Sequence, residues 1–222
     1  SEASSFADSI GGYLVKVETT AENLEIYTRL SSVWDDTAAN TSYAPDGGSA
    51  SYVWLGASDA ASEGDWRWSR DDTVLSTTRS EWGAGGGIVE PDNAGEQDYL
   101  ALGMETWPWV ALNAGFVIGD PGEWNDISGT NLLYFLVEKD PTTGTASDDS
   151  FISTVLDEQF DGGVGIDKII FSGALNQYDV NILDGVLTVS DSISPIDGND
   201  SLVGIERLEF TDCALAFDVG YG

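Results

Sequence analysis

Two short acidic runs hold the residues best suited to chemistry: Glu90-Pro91-Asp92-Asn93 and Trp124-Asn125-Asp126. Each sets carboxylates and amides within a few positions of a rigid residue. Side-chain oxygens of this kind suit a hard cation, and calcium takes roughly six to eight of them. Proline alone has low-cost access to a cis peptide. A cis bond at Glu90–Pro91 turns Glu90 and Asp92 outward on one side, so the two runs are expected to meet and hold one exposed calcium ion. Histidine is absent, which removes the usual general base and transition-metal ligand. An acid pair acting on polysaccharide needs one carboxyl set apart from the other by its environment. Nothing in the sequence marks such a pair, so an enzyme is not expected.

The 222 residues suffice for one large domain or two modest ones. Acidic residues number 39 against 8 basic ones, for a net charge of −31. No basic stripe exists to meet phosphate, so nucleic acid is not an expected partner. Such self-repulsion is tolerated in high salt or where divalent cations bind, and the solvating surface of a marine or salt-tolerant organism accounts for it equally well. Cys213 is the only cysteine, so no disulfide forms within the chain. No run of about 18 apolar residues occurs and no signal peptide is visible, so membrane insertion is not expected. The opening Ser-Glu without Met reads as a piece of a larger multidomain chain.

The elements that must position these runs read as α+β. A short helix is expected over 3–10, stopped by Gly11-Gly12, and a strand over 13–17. Thr19 and Glu22 fit a capping box for a helix over 20–31, with Ile26 and Leu30 at i,i+4 spacing. Residues 35–51 read as a long surface loop containing Pro45-Asp46-Gly47-Gly48. Strands are expected over 52–55, 66–68 and 99–102, and the apolar run within 131–138 reads as a strand buried on both faces. Trp54, Trp66 and Trp68 are read as core.

Gly11 to Val15, Glu18 to Asn23, Trp54-Leu55-Gly56, Glu63-Gly64-Asp65-Trp66, Glu90-Pro91-Asp92, Trp124-Asn125-Asp126 and Phe135 to Glu138 occur in that order. Over roughly residues 3–139 this pattern resembles the C-type lectin-like domain. The resemblance implies two helices, antiparallel sheets and long calcium-binding loops, with the family's first strand preceding residue 3. It implies that Glu90, Asp92, Asn125 and Asp126 hold a calcium ion that also binds sugar. Gln97 or Glu96 would supply a further ligand. Glu90, Asp92, Gln97 and Asn125 would contact the sugar. A second calcium would use Asp59, Glu63, Asn93 and Asp98. Tyr99 and Gly129 stand where the family often has cysteines. Glu90-Pro91-Asp92 is a hybrid of the mannose- or fucose-type and galactose-type motifs, with the former preferred. A calcium ion with open positions accepts two neighbouring sugar hydroxyls. Each hydroxyl donates to a carboxylate of Glu90 or Asp92 and accepts from an amide such as that of Asn125. Trp107, Trp109 or Phe116 could stack on the sugar's apolar face.

Pro141 to Ser150 reads as a linker, dividing a lectin-like domain over 1–140 from a β-rich domain over 141–222. The second half reads as all-β, with about five short strands and a hairpin turn at Asp184-Gly185. Gly162 to Ile169 matches the start of the calcium-binding nonapeptide of RTX proteins, and Asp197 to Leu202 is a looser echo. One copy does not make a roll, so a glycine-rich turn before a strand is the preferred reading of the residues themselves. The segment nevertheless resembles β modules beside RTX repeats. That resemblance implies an extracellular bacterial adhesin, exported by type I secretion and displayed at the cell surface. It would bind cell-surface glycans or polysaccharide through calcium, for attachment or biofilm formation. The alternative is a protein- or ice-binding module on the same scaffold, with calcium structural only.

Overall fold

The computed structural model describes residues 2–108, 116–183, 186–193 and 196–217. The chain divides into two compact units, Ser1–Glu138 and Lys139–Gly222. Among the described residues no helix is long and apolar enough to cross a membrane.

The first unit begins with helix α1 (Glu2–Ser9), strand β1 (Tyr13–Leu14) and helix α2 (Thr20–Val33). Gly11, at φ +73°, ends the first turn region in the left-handed conformation that glycine adopts freely. Ala7 is the buried residue of α1, while Phe6 is exposed. The capping box at α2 is present: Thr19 Oγ1 accepts from Glu22 N at 3.1 Å, and the Glu22 carboxylate accepts from Thr19 N at 3.4 Å. Asn23 then ties the helix to the sheet, donating to Gly122 O at 2.8 Å and accepting from Trp124 Nε1 at 2.7 Å.

The expected loop over 35–51 contains a third helix, α3 (Asp36–Thr41), before strand β2 (Tyr43–Ala44). Its Ala-, Asn- and Thr-rich sequence has no apolar period. The missed signal was Asp35, whose Oδ1 caps Thr37 N and Ala38 N, each at 2.9 Å. Strand β3 (Ala50–Ser58) is the centre of the unit. It is followed by β4 (Arg67–Trp68), the small hairpin β5 (Ala84–Gly85) and β6 (Ile88–Val89), then β7 (Tyr99–Gly103), β8 (Trp124–Ile127), β9 (Tyr134–Phe135) and β10 (Val137–Glu138). β3 pairs antiparallel with β2, β4 and β7, and β7 pairs antiparallel with β8; β9 runs parallel to β3.

The expected doubly buried strand over 131–138 is two short pieces. Its backbone changes partner midway, pairing first with β3 and then with β1. Leu132, which precedes both pieces, is 83% exposed. One face of the main sheet packs Val53, Leu55, Leu100 and Leu102 against Trp66, Trp68, Trp82 and Trp124. These rings meet edge to face, with centroids 5.2 Å apart for Trp66–Trp82 and 5.8 Å for Trp82–Trp124. Such pairs contribute roughly 0.5–1.5 kcal/mol each beyond buried area. Trp54 is only half-buried, edge-on to Tyr99. Tyr99 in turn lies over Gly129, where a Cβ would stand 2.4 Å from its ring. A ring against a glycine therefore occupies the place where the resemblance puts cysteines.

The polar run Pro141–Ser150 is not a free linker. It holds β11 (Thr142–Thr143), a turn, and the start of β12 (Ser150–Ile152). The described elements of the second unit then continue as β13 (Gln159–Asp161), β14 (Lys168–Ile170), a short 3-10 turn, β15 (Tyr178–Leu183), β16 (Val186–Asp191), β17 (Asn199–Val203), β18 (Arg207–Glu209) and β19 (Ala214–Ala216). Strands β11, β13 and β17 are parallel neighbours in one sheet, and β12, β14 and β18 in another. This is a parallel two-sheet coil, against the expectation of a lone glycine-rich turn. Thr142 stands opposite Phe160 and Ser150 opposite Lys168, the same eighteen-residue step in both sheets. The Gly162–Asp167 turn stacks on the Gly144–Asp149 turn, with Asp149 N donating to Asp167 Oδ1 at 2.7 Å. The antiparallel β15–β16 pair interrupts the step before β17. The turn at Asp184-Gly185 lies outside the described residues, as does Val219.

Candidate metal centre

Backbone pairing brings the two acidic runs together. Trp124 N donates to Glu81 O at 2.6 Å, Gly83 N to Trp124 O at 2.9 Å, and Glu90 N to Gly83 O at 2.9 Å. Residues 81–83 thus lie beside β8 and Glu90 pairs back onto Gly83, and the Glu90–Pro91 peptide is cis. Oxygens of Glu90, Asp92 and Asp126 lie within 4.8 Å of one another. Among the described residues this is the only group of three carboxylates that converges so closely, and none of the described ion pairs reaches it.

The group is less open than expected. Asp92 is exposed, but Glu90 is 4% and Asp126 0% exposed. Asp126 accepts from Asn93 N at 2.8 Å and Asp92 N at 3.3 Å, and Glu90 Oε2 accepts from Asp92 N at 3.1 Å. Burial, followed by the Asp126 charge, pushes the Glu90 carboxyl from 4.5 up to about 8. Burial also raises Asp126, against the donation from Asn93 N. Crowded carboxylates with so few donors are unfavourable unless a proton or a cation offsets their charge. A hard divalent ion fits this donor set, and Glu90, Asp92, Asp126 and the Asn125 side-chain oxygen would hold it.

Asn125 is 4% exposed, and its Nδ2 donates inward to Tyr52 Oη at 3.0 Å. One of its two amide hydrogens is therefore engaged with the core, not held for a sugar hydroxyl. Gln97 is buried and donates from Nε2 to Asp46 O at 3.1 Å, while its backbone N–H donates to Asn93 Oδ1 at 3.3 Å. Glu96 is exposed and does not join the carboxylate group.

The second expected set is assembled more loosely. Asp59 N donates to Asp98 O at 3.2 Å, and Asp59 Oδ2 accepts from Gly64 N at 2.9 Å. No donor reaches the buried Asp59 Oδ1. Burial raises the Asp59 carboxyl, and the Asp98 charge adds to it. Glu63 is raised by desolvation and then by Asp59 and Asp98, while the Asn93 side chain lowers it. The four residues are neighbours, but their carboxylates do not close to the spacing of the first group.

Of the aromatic candidates, Trp107 is a core residue, 1% exposed, following its own seat among glycines. A Cβ at Gly83, Gly103 or Gly119 would stand 2.7, 2.3 or 2.0 Å from its ring. Trp109 lies outside the described residues. Phe116 is 39% exposed, and a Cβ at Gly86 would come within 2.0 Å of its ring. Sequence reasoning missed Asp46 and Tyr52, which hold the two amides. The only local signal was the turn sequence Pro45-Asp46-Gly47-Gly48.

No family model matches the chain. A perlucin-like protein of Mytilus galloprovincialis is 29% identical over 126 residues, covering 57% of this chain. The chain spans 60% of the length of that relative. Among solved structures, the mouse scavenger receptor C-type lectin carbohydrate-recognition domain is similar, with a TM-score of 0.39 and 17% identity over 64% of this chain and 81% of that one. The cow C-type carbohydrate-recognition domain of CD23, solved in the presence of a GlcNAc2Man3 oligosaccharide, has a TM-score of 0.38 and 21% identity, covering 61% and 74%. The C-type lectin CEL-I from Cucumaria echinata has a TM-score of 0.37 and 22% identity, covering 61% and 76%.

Proposed function

We propose that the first unit is a C-type lectin-like binding module, not an enzyme, which recognises glycans through a calcium ion held by Glu90, Asp92, Asn125 and Asp126. The observation that carries this reading is the convergence of three carboxylates from two distant segments within 4.8 Å, with Glu90 and Asp126 buried and no described cation against them. Supplying the missing positive charge is the simplest way to make that arrangement favourable. Asp92 stands on the exposed side, where an incomplete coordination shell can accept vicinal hydroxyls. Phe116 is the exposed ring available to stack on a sugar's apolar face. The Glu90-Pro91 half of the hybrid motif favours a fucose- or mannose-type ligand over a galactose-type one. Asp59, Glu63, Asn93 and Asp98 form a second, structural calcium site in this reading, with the orphaned Asp59 Oδ1 as its least satisfied atom.

The acidic composition and the β coil of the second unit support a wider setting: an extracellular, cell-surface bacterial adhesin of the RTX kind, delivered by type I secretion and acting in attachment or biofilm formation. Glycan-array binding with calcium and with chelator tests the core of the proposal. Binding to fucose- or mannose-containing glycans that disappears on chelation supports it. Equal binding in both conditions sinks the calcium role. A silent array, with calcium still detected by calorimetry, points instead to a protein or ice ligand and a purely structural ion.

A further inference from the structure

Asparagine and glutamine amides have two unlike ends, and only the oxygen end can ligate a cation. Which end faces which way is decided by the hydrogen-bond network around it. Two buried amides bear on the proposed site, Asn125 within it and Gln97 a few residues after the first acidic run, and both meet the same short turn. Gln97 Nε2 donates to Asp46 O at 3.1 Å. A carbonyl oxygen only accepts, so it selects the NH2 end of Gln97. Asn125 meets the turn through a relay. Tyr52 Oη donates its single hydrogen to Gly47 O at 2.5 Å, leaving only its lone pairs for Asn125 Nδ2 at 3.0 Å. The relay runs one way, from amide to phenol to carbonyl, and so selects the NH2 end of Asn125 as well.

The parts of this relay are fixed. The Asp46 carboxylate accepts from Ser128 N at 2.7 Å and from Asn131 Nδ2 at 2.6 Å, which ties the turn to the chain just after β8. A Cβ at Gly47 would stand 2.8 Å from both the Tyr52 ring and the Ile127 side chain, so only glycine lets this carbonyl approach the phenol. Tyr52 is 0% exposed, and its ring packs 5.5 Å from the seated ring of Trp107. Its main chain is held on both sides by Ser42, with Tyr52 N donating to Ser42 O at 2.9 Å and Ser42 Oγ donating to Tyr52 O at 2.5 Å.

We infer that the Asp46–Gly47 turn and the Tyr52 hydroxyl form a positioning element that takes the nitrogen ends of both amides, so that Asn125 Oδ1 and Gln97 Oε1 are the ends offered to calcium. This rests on the reading of the site as a calcium site. Tyr52 and the turn touch neither cation nor sugar. They act by removing the orientation in which an NH2 group faces the metal.

Calcium titration by calorimetry of the whole chain, wild type against Tyr52→Phe, tests the inference. The substitution keeps the ring against Trp107 and deletes only the relay oxygen. Calcium affinity should fall about tenfold or more, the usual scale for losing a partner that orients a ligand, and the calcium-free melting temperature should drop as well, because Gly47 O and Asn125 Nδ2 lose their shared partner. Adding Asn125→Asp to Tyr52→Phe should restore affinity, because a carboxylate presents oxygen at either end. Wild-type affinity in Tyr52→Phe overturns the inference, and so does a loss that Asn125→Asp does not repair. Absence of calcium binding by the wild type overturns the calcium reading itself. Should Tyr52→Phe fail to fold, nuclear magnetic resonance of the calcium-free wild type decides. One Asn125 Nδ2 proton should exchange slowly and show cross-relaxation with the Tyr52 ring; two fast-exchanging protons overturn the inference.

Discussion

Both units bury carboxylates, but they treat them differently. In the second unit, Asp197 accepts from Ser172 N at 2.6 Å, from Ser172 Oγ at 2.8 Å and from the Tyr178 hydroxyl. Asp200 accepts from Ser153 Oγ at 2.6 Å and Glu158 N at 3.1 Å, and Asp149 Oδ2 accepts from Thr145 N and Oγ1 at 2.6 and 2.8 Å. There the donors of stacked turns and nearby hydroxyls meet the acids directly. Asp167 Oδ2 is the exception, with no partner. In the first unit three carboxylates face one another with backbone donors on one side only. Acidity alone therefore does not mark a cation site; a shortage of donors does.

The largest effect that could break this contrast is in the second unit. Asp197→Ala strands the buried Tyr178 hydroxyl, while the exposed Ser172 turns to water. Losing a hydrogen bond to a charged group, worth about 1.5–3 kcal/mol, and leaving that donor unsatisfied should cost the unit about 3 kcal/mol. All 8 tryptophans precede residue 125, so their fluorescence reports the first unit alone. Denaturation followed by circular dichroism should show the loss while the tryptophan transition stays put. A shift in both would mean that the acids of the two units are not independent.

Calcium should act on the opposite unit. At a hundred times its dissociation constant, an ion bound only by the folded state adds about 2.7 kcal/mol. The tryptophan transition should rise by that amount, and Asp126→Ala should remove the rise. A calcium-insensitive tryptophan transition would place the missing charge elsewhere.

Protons sharpen the comparison further. Glu90 is raised from 4.5 to about 8 and Asp200 from 3.8 to about 7, each chiefly by burial. In both cases the folded chain holds a proton that the unfolded chain has released. Calcium-free stability therefore falls as pH rises between the ordinary carboxyl value and the raised one. Only at Glu90 should calcium displace the proton. Binding should release about one proton at pH 7, and affinity should weaken by about tenfold, or about 1.4 kcal/mol, per pH unit below the Glu90 value of about 8. Calorimetry in buffers of different ionisation enthalpy counts that proton. The pH dependence assigned to Asp200 should persist with calcium present, because both its oxygens already have donors.

The same contrast explains what could be read in advance. Glu90-Pro91-Asp92 and Trp124-Asn125-Asp126 are legible because their candidate oxygens lie within a few positions of one another in the chain, as do Thr19 and Glu22 of the α2 cap. The coil of the second unit was hidden. Its equivalent turns, Gly144 to Asp149 and Gly162 to Asp167, share little beyond a first glycine and a last aspartate. The β15–β16 insertion then breaks the eighteen-residue step. The Tyr52 relay was hidden for another reason. Its members, Gly47, Tyr52 and Asn125, are brought together only by the pairing of β3, β7 and β8. The run 131–138 was misread because composition reports burial but not a change of pairing partner.

The smallest effect separates holding the ion from holding a sugar. Trp107 and Phe116 come from one stretch, yet Trp107 is sealed among glycines while Phe116 is 39% exposed. Phe116→Ala should leave the calcium isotherm and the tryptophan transition unchanged, because an apolar ring supplies no oxygen to the ion. Glycan affinity should fall by about 0.5–1.5 kcal/mol, the worth of one aromatic contact. Trp107→Phe should do the reverse: it leaves a gap against Gly83, Gly103 and Gly119, loosens Tyr52, and lowers stability before it touches specificity. Equal losses of glycan binding and calcium binding in Phe116→Ala would mean that the exposed ring supports the loop and does not meet the ligand.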